Sequence, residues 1–123
     1  MPRRPDDRPP ESFLPLPAAT FQILLALVGE ERHGYAIMKE VADRSDDTVR
    51  LGPGTLYGTL KRLLEAGLVE EGGERADPGV DDERRRYYRI TALGKRVLAA
   101  DAERMAVLAD AARRALNAAP SPA

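Results

Sequence analysis

Hydrophobic side chains recur at helical spacing in three consecutive segments of the chain, each bounded by residues that favour helix ends. The first segment, residues 17–29, begins at Pro17, which is tolerated in the first turn of a helix, and stops at Gly29. Its apolar stripe consists of Phe21, Leu24, Leu27 and Val28. The pattern predicts a first helix that buries one face.

The second segment, "GYAIMKEVADRS", predicts a second helix of the same kind. Its apolar stripe consists of Tyr35, Met38, Val41 and Ala42. The polar turn "EERH" precedes this helix, and the short piece "DTVRL", rich in β-branched residues and predicted to be extended, follows it. His33 is the only histidine of the chain and stands at the start of the helix, where a capping or turn role is expected in place of catalysis.

A third helix is predicted over residues 53–66. Gly52 can act as its N-cap, Pro53 suits the first helical position, and Gly67 supplies the left-handed residue that ends it. Leu68 is placed to fold back on the last turn. The core stripe of this helix consists of Leu56, Leu60, Leu63 and Leu64.

The face of the third helix opposite its leucines carries small residues followed by cations. It consists of Gly54, Thr55, Gly58, Lys61 and Arg62. An interior glycine costs a helix about 1 kcal/mol relative to alanine, so the two glycines are expected to serve something other than helix stability. A small, basic face suits close approach to the major groove of DNA, where Thr55 and the cations can contact phosphates or base edges. The alternative is that the glycines allow tight packing against the second helix and that the cations are merely solvated.

A β-hairpin is predicted directly after the third helix. The stretch "LVEEGG" predicts a short strand, residues 74–83 a polar loop, and "RRRYYRIT" a returning strand. Because Ile90 must face the core, Tyr88 is predicted to face inward with it. Three helices and a hairpin form a winged helix-turn-helix, which places its third helix in the major groove and its wing on the adjacent backbone. The predicted class is therefore mainly α with a small β-hairpin (α+β).

The returning strand of the wing is strongly basic. Its candidate phosphate contacts are Arg84, Arg85, Arg86 and Tyr87, and the residues predicted to face outward are Arg85, Tyr87 and Arg89. The alternative is an ordinary solvated, charged face. In the loop region the balance reverses, because residues 70–83 hold seven acids against one base, Arg75, and would repel phosphate. The tip of the wing is therefore predicted to point away from DNA or to be flexible.

A long helix over residues 92–118, capped by Thr91, completes the pattern. Apolar residues at spacings of 4, 3, 4, 3 and 4, typical of a coiled-coil seam, are Leu98, Ala102, Met105, Ala109, Ala112 and Leu116. The residues beside that seam that are expected to rest on the domain are Leu93, Val97 and Leu108. One apolar stripe is enough to pack this helix on a small domain. The second stripe therefore predicts a homodimer formed through the seam. The alternative is that the seam packs on the first helix of the same chain.

Three stretches, "HGYAIMKEV", "GTLYGTLKRLLEAGLV" and "RRRYYRITALG", resemble the signature regions of the PadR family of bacterial transcriptional regulators in order and spacing. The resemblance implies a winged helix-turn-helix, a C-terminal dimerisation helix, an inverted-repeat operator in double-stranded DNA and, usually, repression. It also implies core positions for Leu56 and Tyr88. The matching positions that it places at or near DNA are Thr55, Tyr57, Arg85, Arg86 and Tyr87. Tyr57 lies at the side of the leucine stripe, where core edge and phosphate contact both remain open.

Length and composition limit the other possibilities. The 123 residues suffice for one domain, and the net charge of −1 means that any contact with DNA depends on a local patch. A winged-helix protein-interaction module without DNA binding is therefore the competing hypothesis. The predicted organisation is a disordered tail over residues 1–12, the winged helix-turn-helix over 13–91, the dimerisation helix over 92–118 and a disordered tail over 119–123.

Enzymatic function has little support in the sequence. The absence of cysteine excludes disulfides, zinc-thiolate sites and thiol catalysis, and no nucleophile–histidine–carboxylate set or nucleotide-binding loop is recognisable. No cofactor and no metal are predicted, and an effector ligand remains open. Because no apolar run reaches the ~18 residues of a membrane span, a cytoplasmic protein without a membrane segment is expected.

Overall fold

The computed structural model describes residues 8–76 and 84–118, and the side chains of residues 8–73 and 85–118. The elements in this part of the chain are a 3-10 helix (Pro10–Phe13), α1 (Ala18–Ala26), β1 (Arg32–His33), α2 (Gly34–Arg44), α3 (Pro53–Ala66), β2 (Val69–Ala76), β3 (Arg84–Ile90) and α4 (Ala92–Ala118). The predicted α+β class is confirmed. The predicted wing tip at residues 77–83 and the tails at 1–7 and 119–123 lie outside the described residues.

Helix α1 supplies the centre of the core but ends earlier than predicted. Its residues Ile23 and Leu24 are fully buried, and Phe21 is partly buried against the same cluster. The regular helix stops at Ala26, and Val28, predicted to be buried, is 49% exposed. The prediction for Val28 is wrong because helical spacing no longer applies beyond the end of the helix.

Helix α2 buries only part of the face that was predicted: Val41 is buried and Met38 is partly buried against the core. Gly34, Ile37 and Val41 are its buried residues, whereas Tyr35 is 59% exposed. The prediction for Tyr35 is wrong because Ile37 is also apolar and helical spacing alone does not choose between them. The predicted capping role of His33 is confirmed, since its Nδ1 accepts a hydrogen bond from the backbone N–H of Ala36 at 3.2 Å.

The connection between α2 and α3 contains no strand, and the extended piece predicted at residues 47–51 is wrong at Asp47, whose φ of 63° is left-handed. Hydrogen bonds close the connection as a turn, with the Asp47 N–H donating to the Ala42 carbonyl at 2.7 Å. The Ser45 hydroxyl lies 2.9 Å from the Val41 carbonyl and accepts from the Val49 N–H at 3.0 Å. These local bonds satisfy the backbone groups at the end of α2 and fix the approach to α3.

Helix α3 follows its prediction closely. Gly52 is the N-cap, and its carbonyl accepts from the Leu56 N–H at 2.9 Å. Gly67 ends the helix in the left-handed conformation with φ 77°, and the Leu68 N–H returns to the Leu63 carbonyl at 3.0 Å. The predicted core residues Leu56, Leu60 and Leu63 are buried, and Leu64 is partly buried.

The sheet has three antiparallel strands in the order β1-β3-β2, one more than the predicted hairpin. Strand β1 pairs with β3 through Arg32↔Tyr88 and His33↔Tyr87, and it was missed because two polar residues show no alternation. Strand β2 continues to Ala76, past its predicted end at residue 73, with a bulge between Glu71 and Gly73. The inward orientation predicted for Tyr88 and Ile90 is confirmed by their burial.

Thr91 joins the start of α4 to the end of α3, as a cap with two hydrogen bonds. Its hydroxyl accepts from the Gly94 N–H at 3.0 Å and donates to the Gly67 carbonyl at 2.7 Å. Leu93 and Val97 are buried in the domain, as predicted. The first three turns of α4 therefore belong to the core of the winged domain.

The N-terminal segment packs on the domain, so the disorder predicted for residues 1–12 is wrong for residues 8–12. The 3-10 helix contacts α4, and the side chains of Phe13, Leu14 and Leu16 pack against the core. Arg8 donates to the Ala66 carbonyl at the end of α3, and its guanidinium lies 5.0 Å from the Phe13 ring centre. The disorder was predicted from the proline-rich composition of the segment, and composition carries no information about these individual contacts.

Candidate nucleic-acid interface

The leucine-free face of α3 is not covered by the described part of the chain. Gly54, Thr55 and Lys61 are exposed, and no heavy atom lies within 4 Å of the place that a Cβ at Gly54 would occupy. A Cβ at Gly58 would meet only Arg62, whose Nη1 is 3.9 Å away. The interpretation that these glycines allow packing against α2 is therefore wrong, and the face is open to another molecule.

The cations of this face carry unneutralised charge within the described residues. Neither Lys61 nor Arg62 forms a salt bridge with a carboxylate there. The Arg62 Nη2 donates to the hydroxyl of Thr59 at 3.2 Å. A neutral acceptor leaves the full positive charge on the guanidinium, so this face attracts anions.

Tyr57 lies at the edge of the core and is also exposed, and its contact with phosphate stays a prediction. The residue is 50% exposed, and its phenol end lies against the backbone of Gly34 at the start of α2. Gly34 is buried, so Tyr57 packs on α2 with one side and faces solvent with the other. The side chain forms the junction between α2 and the exposed face of α3.

Aromatic side chains bring the basic strand of the wing to the same junction. The guanidinium carbon of Arg85 lies 5.9 Å from the centre of the Tyr35 ring, and Tyr87 meets His33 edge-on at 5.3 Å between ring centres. Tyr35 and His33 were not predicted to belong to this surface. The GYAIM pattern assigned Tyr35 to the core, whereas the structure places it at the surface beside Arg85, 59% exposed.

The remaining described wing arginines are paired with carboxylates. Arg86 lies 3.3 Å from Glu71, and Arg89 lies 2.7 Å from Glu70 and 3.2 Å from Glu31. Hydrogen bonds to Glu70, and then to Glu31, raise the pKa of Arg89. Two of the acids predicted to repel phosphate therefore already hold cations of the same sheet. The side chain of Arg84 lies outside the described set.

The candidate dimer residues divide between core and surface. Leu98 is buried in the core of its own domain, so its assignment to an open seam is wrong. The seam residues that are exposed are Ala102, Met105, Ala109, Ala112 and Leu116. Leu108, predicted to rest on the domain, is 56% exposed, because α4 extends beyond the domain after Asp101. Packing of the whole seam on α1 is excluded by the same exposure.

The part of the chain that the structure describes contains neither a candidate membrane span nor a candidate metal site. None of its helices combines the length and apolar character that a membrane span needs. Its histidine and carboxylate side chains form no group of three that could hold a metal ion.

Taken together, a turn that joins α2 to an exposed α3, followed by a small antiparallel sheet, defines a winged helix-turn-helix protein. The sequence matches the description "Transcriptional regulator PadR-like family" over residues 23–100. The chain belongs to this PadR-like family of transcriptional regulators.

The chain is also similar to individual proteins and solved structures. A curated but uncharacterized protein X of Lysinibacillus sphaericus is 35% identical over 77 residues, which cover 62% of this chain and 67% of that protein. A PadR family transcription regulator from Clostridium difficile is 25% identical with a TM-score of 0.64, over 79% of this chain and 96% of that one. Bacillus subtilis PadR, solved in complex with operator DNA, is similar in fold, with 21% identity, a TM-score of 0.58, and coverage of 68% and 46%.

Proposed function

We propose that this protein is a homodimeric, sequence-specific DNA-binding transcriptional regulator that places α3 in the major groove and its wing on the DNA backbone. The observation that carries the proposal is the open face of α3, which no other described part of the chain covers. The presence of operator DNA in the Bacillus subtilis PadR structure supports the same function for a chain of the same fold.

The order of side chains along α3 suits a groove. Gly54, Thr55 and Gly58 leave the first half of the helix narrow, so that it can approach base edges closely. Lys61 and Arg62 follow on the same face and are available to phosphates or bases. Arg85 and Tyr87 extend the contact surface onto the wing, where an antiparallel strand can follow the neighbouring backbone.

Dimerisation is part of the proposed mechanism. The exposed stripe of α4 from Ala102 to Leu116 has the spacing of a two-helix seam, and pairing through it would relate two copies by a two-fold axis. Two α3 helices could then enter successive major grooves about 34 Å apart, which requires an inverted-repeat operator. We propose repression in the cytoplasm, by occlusion of promoter DNA, as the regulatory outcome.

Mobility-shift titration against the DNA upstream of the protein's own gene tests the proposal. The double variant Lys61→Ala/Arg62→Ala should lose specific binding while its thermal unfolding midpoint stays unchanged, because both side chains are exposed. Lys95→Ala/Arg96→Ala, which removes the same charge from exposed positions on α4, is the matched control and should retain binding. Normal binding by the Lys61/Arg62 variant would contradict the role of α3.

The competing function is a winged-helix module that binds another protein. The pairing of Arg86 and Arg89 with carboxylates favours it, because these pairs compete with phosphate. Salt distinguishes the two functions: for DNA, log K falls with log salt by about 0.9 per phosphate neutralised, whereas a protein interface responds far less. A shallow salt dependence together with no DNA retention would favour the protein-binding module.

A further inference from the structure

Arg62 lies back along α3 instead of extending into solvent. Its Nη1 is 3.9 Å from the place where a Cβ of Gly58 would be, one helical turn earlier, and its Nη2 donates to Thr59. Long side chains on a helix point toward its N-terminus. The guanidinium therefore lies level with Gly58 and Thr59, nearer the narrow half of the helix than its own position in the sequence suggests.

Thr59 anchors the Arg62 side chain in this position, and Gly58 leaves the space that it occupies. Thr59 is 2% exposed, so its hydroxyl is fixed by the core and offers Arg62 a stationary acceptor. Gly58 has no side chain to block the path along the helix. A guanidinium that is already oriented loses less conformational freedom when it binds, which favours a specific contact over a diffuse one.

The charge environment separates Arg62 from its neighbour Lys61. Neither residue has a carboxylate partner among the described residues, yet only Arg62 is anchored. A guanidinium presents five N–H groups in one plane, and the bond to Thr59 uses one of them. The remaining donors can bind two acceptors side by side, whereas the lysine ammonium on its flexible stem acts as a point charge suited to phosphate.

We propose that Arg62 is the residue with which α3 reads a guanine base in the major groove, and that Thr59 is its positioning residue. Guanine presents two adjacent acceptors there, O6 and N7, and an arginine fork binds both. The inference rests on the proposed function, because it requires α3 to enter the groove. It adds one specified base contact, which divides the two cations of α3 into a base reader and a phosphate contact.

Selection of bound duplexes from a random DNA pool tests the inference, with wild type, Arg62→Lys and Lys61→Ala compared in parallel. The wild-type motif should contain a guanine in each half-site. The preference for this guanine over other bases should be about 5- to 150-fold weaker in Arg62→Lys, the range expected for one bidentate contact. Lys61→Ala should bind all sequences more weakly and keep the motif. Thr59→Val, which removes only the hydroxyl anchor, should weaken preference at the same guanine and at no other position.

The outcomes separate this inference from the function on which it rests. If wild type enriches a motif and Arg62→Lys retains every base preference, the assignment of Arg62 is overturned while DNA binding stands. If wild type enriches no duplex at all, the proposed function and the assignment both fail. Urea unfolding of each variant should give a midpoint close to that of wild type for the two exposed cations, which confirms that altered selection reflects contact and not loss of fold.

Discussion

Tyr57 lies across the backbone of Gly34, so closely that a Cβ at position 34 would come within 2.8 Å of the tyrosine Cζ. Gly34 is the first residue of α2 and Tyr57 lies in the second turn of α3, so this contact joins the two helices of the helix-turn-helix. The absence of a side chain at position 34 therefore determines how closely the helices approach.

Gly34→Ala should disturb this contact. The added methyl group should displace the Tyr57 ring and destabilise the fold by about 1 to 3 kcal/mol, the range for overpacking. In a Tyr57→Ala background the same change should cost little, because the ring that it meets is gone. Urea unfolding of the two single variants and the double variant measures this coupling. An equal cost of Gly34→Ala in both backgrounds would contradict the contact.

Gly94 occupies the tightest place in the junction between α4 and the sheet. A Cβ there would lie 2.7 Å from Ile90 Cγ1 and would also collide with the carbonyl of Leu68. Because the obstructing carbonyl belongs to the backbone, the strain cannot be relieved by a side-chain rotation. We expect Gly94→Ala to destabilise the protein by about 3 kcal/mol, the upper end of overpacking, measured by urea unfolding. A cost below about 1 kcal/mol, the lower end of that range, would show that α4 shifts to accommodate the methyl group.

Gly54 presents the opposite case, since its surroundings are open. Gly54→Ala should raise stability by up to about 1 kcal/mol, through the higher helix propensity of alanine. The added methyl group should at the same time reduce affinity for operator DNA, because it widens the face that enters the groove. Thermal unfolding and a mobility-shift titration of the same variant measure the two effects. A variant with unchanged DNA affinity would show that close approach at position 54 is unnecessary.

The elements that could be predicted from the sequence are those with local stop signals. Helix α3 follows its prediction because Gly52, Pro53 and Gly67 fix its ends by their own backbone preferences. No such local signal determines which side of helix α2 is buried. Tyr35 fits the apolar spacing of the buried side, yet it is exposed. The exposed face of α3 could be predicted for the same reason as its core stripe, since both follow from helical spacing alone.

The remainder depends on contacts between residues that are distant in the chain. Strand β1 forms because its backbone groups pair with β3, more than fifty residues later in the chain. The side chains of β1 show no pattern from which that pairing could be predicted. The ion pair between Glu31 and Arg89 follows from it. Likewise, the anchor of the N-terminal segment joins Arg8 to Ala66, so a composition average over the tail could not predict it.

Stability at high pH should depend on Tyr88. Burial raises the pKa of its phenol. The positive charge of Arg86 partly offsets this rise in pKa, and the negative charge of Glu71 adds to it. Between the pKa of the unfolded chain, about 10, and the higher pKa of the folded protein, only the unfolded state loses the proton. Stability from this group is therefore fully present below about pH 10 and falls as pH rises through the folded pKa.

Urea unfolding between pH 8 and 11 measures this effect. Tyr88→Phe should unfold with a smaller decrease in stability over that interval than wild type, because the buried phenol is absent. Tyr35→Phe, at an exposed position, serves as the control and should behave as wild type does. The same decrease in wild type and Tyr88→Phe would assign the alkaline loss to other groups.

The open stripe of α4 should hold the dimer together. The domain covers the helix up to Asp101, and the apolar residues beyond it, including Met105 and Leu116 (75% exposed), lie on no other described part of the chain. Met105→Asp/Leu116→Asp places two charges in the seam and should yield monomers by sedimentation, with the fold of the winged domain retained. Leu98→Asp would be unsuitable for this test, because Leu98 lies in the core and its loss should unfold the domain.

The matched control for the dimer is Val107→Asp. Val107 is 56% exposed and lies about 200° around the helix from Met105, so the charge is added to the back of α4. This variant should sediment as wild type does. Because each half-site contact needs its partner for high affinity, the Met105/Leu116 variant should also lose operator binding while the Val107 variant keeps it. A Met105/Leu116 variant that stays dimeric would place the interface elsewhere, and loss of the dimer in both variants would indicate that the helix itself was destabilised.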